Sequence, residues 1–77
     1  MKLEYDKQAD AIYIHLKEAP YAYGKDLDDE RRVDFAADNT PIGVELLCVS
    51  QGVMLDDLPE VEAVSRLLAK HHIKAFA

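Results

Sequence analysis

Pro41-Ile42-Gly43-Val44-Glu45-Leu46-Leu47-Cys48-Val49 alternates with period two, so that Ile42, Val44, Leu46 and Cys48 share one face of an extended segment. Leu47 and Val49 make the other face partly apolar as well. A strand of that kind belongs in the middle of a sheet. Gly43, without a side chain, marks a point where a neighbouring backbone or large side chain comes close.

Shorter alternating runs precede it. Lys2–Tyr5 and Ala11–Leu16 flank the turn formers Asp6-Lys7-Gln8-Ala9-Asp10 and predict a hairpin, with Ile12, Ile14 and Leu16 on one face and Ala11, Tyr13 and His15 on the other. Pro20 ends the second run, and a looser stretch with Tyr21, Tyr23 and Gly24 leads to an edge strand near Lys25–Leu27. Arg32–Ala36 alternates again and sends Val33 and Phe35 to the core. Ala37-Asp38-Asn39-Thr40 is a tight connection, because Asn tolerates left-handed backbone. Residues 1–50 therefore read as a β-meander.

After Ser50-Gln51-Gly52 the period changes. Asp57 followed three residues later by Glu60 has the form of a capping box and Pro59 suits a first turn, which predicts a helix over 57–72. Val61, Val64, Leu67, Leu68 and His71 recur at helical spacing, and Lys70 and the histidines suit the negative pole of the helix. Residues 73–77 alternate, so the tail either forms a short strand or tucks Phe76 into an apolar gap. The expected architecture is α+β, one domain over 1–77: a small antiparallel β-meander sheet with a C-terminal α-helix packed on it.

Length limits the core. A chain of 77 residues buries roughly 60% of its unfolded surface, and domains this small commonly draw on disulfides, metals or self-association. Cys48 is the sole cysteine, which excludes an internal disulfide, and its place in the alternation predicts a buried thiol in a reducing compartment. Self-association, as a homo-oligomer, is the expected supplement. No leader-like apolar segment stands at the start and no apolar run approaches the roughly 18 residues of a membrane span, so a cytoplasmic location without membrane contact is expected.

The net charge of −6 is uneven, with Asp26, Asp28, Asp29 and Glu30 clustered and Arg66, Lys70 and Lys74 near the end. Direct nucleic-acid binding, which needs a basic surface, is disfavoured. An acidic surface suits solubility, or docking onto a basic protein partner.

The sheet face opposite the core is expected to carry Glu4, Tyr13, His15, Arg32, Asp34 and Glu45. A histidine beside a carboxylate can transfer protons, and His15, Asp34 and Glu45 form the candidate polar site. A solvated sheet face demands the same polar residues, however, and no nucleophile motif accompanies them. Asp6 and Asp10 suit capping of turn amides better than metal binding. His71 and His72 point about 100° apart on a helix and cannot chelate as a pair. No residues are assigned to catalysis, a cofactor or a metal. Tyr13, Tyr21 and Tyr23, with Leu47 and Val49, are candidates for a protein interface, since tyrosine offers an apolar body and a wet tip.

Tyr5-Asp6-Lys7-Gln8-Ala9-Asp10-Ala11-Ile12-Tyr13-Ile14, Val33-Asp34-Phe35 and Ile42-Gly43-Val44-Glu45-Leu46-Leu47, with Gly52-Val53 and Leu58-Pro59 before the helix, resemble the small YuzE-like family of bacterial domains of unknown function. The family usually carries Asp-Gly in the loop before the Gly-aliphatic-Glu strand; here Asp38-Asn39-Thr40-Pro41 stands, and Asn supplies the same backbone conformation. The resemblance transfers no activity residue by residue. Some members look like the antitoxin half of two-gene modules, beside small RelE-like toxins. The chain is thus expected to be an interaction domain, self-associating and antitoxin-like toward a small basic toxin. The alternative is a small enzyme or ligand-binding protein working around His15, Asp34 and Glu45.

Overall fold

The computed structural model describes Met1–Ala77. Strands β1 (Lys2–Asp6), β2 (Ala11–His15), β3 (Tyr23–Asp28), β4 (Arg31–Phe35) and β5 (Pro41–Leu47) form one antiparallel sheet in the order β1-β2-β5-β4-β3. The longest strand is central. Because β5 is apolar along its buried face and needs a neighbour on each side, it pairs with β4 and also with β2, which joins the first hairpin to the β3-β4-β5 meander. The connection from β2 to β3 starts under the control of β5, since the amides of Leu16 and Lys17 both donate to the Ile42 carbonyl at 2.9 and 3.3 Å.

Ile12, Ile14, Val44 and Leu46 turn to one face and form a single cluster with Val49, Val53, Leu58, Val64 and Leu68. Only 13 of 77 residues are buried, so each large one matters: burial of such a side chain stabilises by about 1.5–3 kcal/mol. Helix α1 (Val61–Lys70) supplies Val64 and Leu68 to this cluster.

The helix is shorter than 57–72. Asp57 and Glu60 take left-handed backbone (φ 64° and 50°) and Glu60 caps with no side-chain bond, so the capping box does not form. Leu58 explains this. A residue before proline is steered away from helical backbone, and here Leu58 is drawn into the core, leaving the first helical bond to run from Val64 N to Glu60 O at 3.0 Å. At the other end His71 is exposed and does not extend the apolar stripe. His72 is left-handed (φ 61°), with His72 N donating to Ala69 O and Ile73 N to Leu68 O, a Schellman closure that lays Ile73 against the core.

The tail forms the short strand its alternation allows, while Phe76 stays 39% exposed and is not tucked into an apolar gap. Strand β6 (Val53–Met54) pairs in parallel with β7 (Ala75–Phe76), and the Phe76 ring covers Gly52 so closely that a Cβ there would collide with it.

Cys48 alters the end of the central strand. Its left-handed backbone (φ 55°, ψ 40°) stops β5 at Leu47 and opens a 3₁₀ turn over Val49–Gln51. Alternation is lost there: Val49 swings into the core at 1% exposed and is no surface residue, while Cys48 is half-exposed and not a core thiol. Phe35 is likewise only half-buried, stacked on Tyr23 with ring centroids 5.0 Å apart. No helix is long and apolar enough to cross a membrane.

Candidate functional site: the uncovered face of the sheet

The helix and the core lie on one side of the sheet. On the other side the register sets Glu4, Tyr13, Glu45, Arg32 and Asp26 abreast across all five strands, with Lys2, His15, Gly43, Asp34 and Gly24 in the next row. The six residues expected there from alternation all stand there.

Tyr13 holds the middle of the face. Its ring lies over Gly43, where any Cβ would strike the hydroxyl, and that hydroxyl donates to Asp34 Oδ2 at 2.8 Å. Burial, reinforced by the bond to Asp34, pushes the phenol up to about 12. At neutral pH Tyr13 is thus a fixed donor. Asp34 Oδ1 lies 3.4 Å from Arg32 Nε, and Arg32 in turn donates to Asp26 Oδ1 at 3.0 Å and to the Tyr21 hydroxyl at 3.3 Å. Its guanidinium lies over Gly24, another position a side chain would fill. On the far side of Tyr13, His15 sits edge-on at 4.8 Å and bonds to the Glu4 carboxylate, which holds Glu4 below the usual carboxylate range.

His15, Asp34 and Glu45 therefore share a face without converging. His15 is bonded to Glu4, Asp34 to Tyr13 and Arg32, and the Glu45 carboxylate makes no hydrogen bond or ion pair within the chain. No group of histidine, cysteine and carboxylate side chains is disposed to hold a metal ion. Tyr21, Gly24 and Asp26 belong to the network although alternation alone did not place them in it. Gly24 carried the same signal as Gly43, a glycine inside a strand, and could have revealed the Arg32 contact.

Beside the network is an open depression of about 410 Å³ lined by Asp26, Asp28, Asp29, Glu30, Arg31, Arg32, Glu45 and Leu47. Its cations are already engaged. Arg32 is bound as described, and Arg31 donates to Asp28 Oδ2 at 2.9 Å and to the carbonyls of Met54 and Asp56 at 3.0 and 2.5 Å. The Glu30 amide, followed by Arg31, holds Asp28 below its ordinary range. Asp29, Glu30 and Glu45 have no ion-pair partner in the chain. The Glu30 carboxylate beside Cys48 pushes that thiol up, away from the reactive thiolate.

The remaining candidates divide plainly. Tyr21 is 58% exposed at the border of the network and Leu47 is exposed at 38%. Tyr23 serves local packing, since it stacks on Phe35 and donates to Asn39 Oδ1 at 2.6 Å. Asp6 accepts from the Ala9 amide, and Asp10 accepts from the Ser50 amide and hydroxyl, so both turn carboxylates hold backbone in place.

Residues 2–50, the whole five-stranded sheet and the turn that leaves it, match a family described as a protein of unknown function, DUF2283. The chain belongs to the DUF2283 family. The DUF2283 match takes in every residue of the polar network and the acidic border, and leaves α1 and β7 outside it. No curated protein and no solved structure matches the chain.

Proposed function

We propose that this DUF2283 chain is a non-enzymatic interaction domain, self-associating, that receives a cationic protein on the uncovered face of its sheet. The observation that carries the reading is the charge arrangement around the depression: both of its arginines are spent on contacts within the chain, while Asp29, Glu30 and Glu45 have no cationic partner there. Such a surface favours an approaching lysine or arginine side chain and repels an anionic ligand. Exposed Tyr21 and Leu47 add apolar contact beside it. The finer form of the proposal, a YuzE-like domain that is the antitoxin-like partner of a small basic toxin, draws on the same arrangement.

The alternative of a small enzyme or ligand-binding protein gains no supporting contact, because His15 is bonded to Glu4 and Asp34 to Tyr13 and Arg32, and neither contacts the Glu45 carboxylate through a hydrogen bond. The test is affinity capture with the wild-type chain and with Asp29→Lys/Glu45→Lys. Recovery of one stoichiometric basic protein by the wild type alone supports the reading. A partner retained equally by both removes the depression as the docking surface.

A further inference from the structure

We propose that β1 is a dimer edge that pairs antiparallel with β1 of a second copy. The inference rests on the self-association reading above and names its surface.

The sheet has two free edges, β1 and β3, and they differ in kind. Both carry three charged residues, but the register of β3 breaks between Asp26 and Asp28. A bulge is one of the usual devices that keep an edge strand from recruiting another. β1 has no bulge. It pairs with β2 through Lys2–Asp6 without a shift, contains neither proline nor glycine, and outside that ladder none of its backbone groups bonds to another backbone group. Its outer amides and carbonyls are a regular, unused template.

The side chains of β1 fit a reversed copy of themselves. In an antiparallel register centred on Glu4, Lys2 stands opposite Asp6 of the second copy and Leu3 opposite Tyr5, and two-fold symmetry makes each pair twice. Opposed residues keep their faces. Lys2 and Asp6 meet on the polar face, while Leu3, which already packs on the core, and Tyr5, 37% exposed, meet on the core face. Glu4 meets its own copy at the axis, but its carboxylate is bound to His15 on β2 and so is drawn back from the edge. The two sheets become one, with both helices on the same side and both polar faces joined into a single platform.

The experiment is light scattering on the full chain together with oxidation of Glu4→Cys in a Cys48→Ser background, with Lys25→Cys in the same background as the β3 control. Cβ atoms directly opposite in an antiparallel pair lie about 4.5–5.5 Å apart, near enough for a disulfide at the axis. Circular dichroism shows that each variant is folded. A dimer that is covalently trapped by the residue 4 variant and not by the residue 25 variant is the expected result. A dimer trapped at residue 25 or at neither position overturns the β1 assignment and leaves self-association standing. A monomer across the concentration range overturns both.

Discussion

At the scale of single residues, the middle of the polar face is organised by a place where a side chain is missing, Gly43. Tyr13 lies flat because Gly43 lets it, and its hydroxyl reaches Asp34 for the same reason. Gly43→Ala is expected to destabilise the fold by about 1–3 kcal/mol in chemical denaturation, because the new methyl must displace the ring. In a Tyr13→Ala background the same change should cost less, and that non-additivity is the measurement, since a simple loss of strand propensity would add. Tyr13 has a second signature. Folding raises its pKa above the ordinary 10, so its contribution to stability is complete below pH 10 and is lost as the pH climbs through about 12. Phenolate absorbance should therefore show one tyrosine ionising near 12 that is absent from Tyr13→Phe. Much of this was legible in the sequence, for alternation sorts residues by face, and an in-strand glycine announces a close neighbour. What alternation cannot supply is reach: it put His15 and Asp34 on one face, but strand order and rotamer gave Glu4 to the first and Tyr13 to the second.

At the scale of elements, the misread boundaries have a common origin in left-handed residues that are not glycine. Cys48, Asp57, Glu60 and His72 all have positive φ, and each ends or delays an element that apolar periodicity alone would prolong. Side-chain pattern carries no mark of such a residue, because tertiary contacts impose the conformation: Val49 must enter the core after Cys48, and Leu58 must do so after Asp57. Asn39 was legible by contrast, since Asn in a short loop is itself the signal, and its φ is 69°. These positions hold unused stability. His72→Gly, at the residue that closes the helix, should stabilise by about 1 kcal/mol, read as a higher denaturation midpoint with an unchanged slope, because glycine takes the left-handed conformation without steric cost.

At the scale of the whole molecule, the layering of one sheet, one helix and one bare face was predictable from the contrast between residues 1–50 and the helical segment, whereas the strand order was not. Nothing in a period-two pattern tells β2 to pair with β5; that pairing answers the demand of a two-sided central strand for a second neighbour. The bare face bears on binding. If a cationic protein docks beside Asp29, Glu30 and Glu45, its affinity should fall steeply from low to high salt, because exposed charges more than about 10 Å apart are screened at 0.1 M ionic strength. Titration at two ionic strengths measures this, and equal affinities would point to an apolar contact instead. The parallel pairing of β6 with β7 has another consequence. The amides of Val53 and Leu55 donate to the carbonyls of Lys74 and Phe76, so the strands on either side of the helix are tied to each other. Terminal turns ordinarily fray by themselves. Here the last turn runs straight into a strand held by β6, so its hydrogen exchange is expected to be slowed by the added need to open that pair.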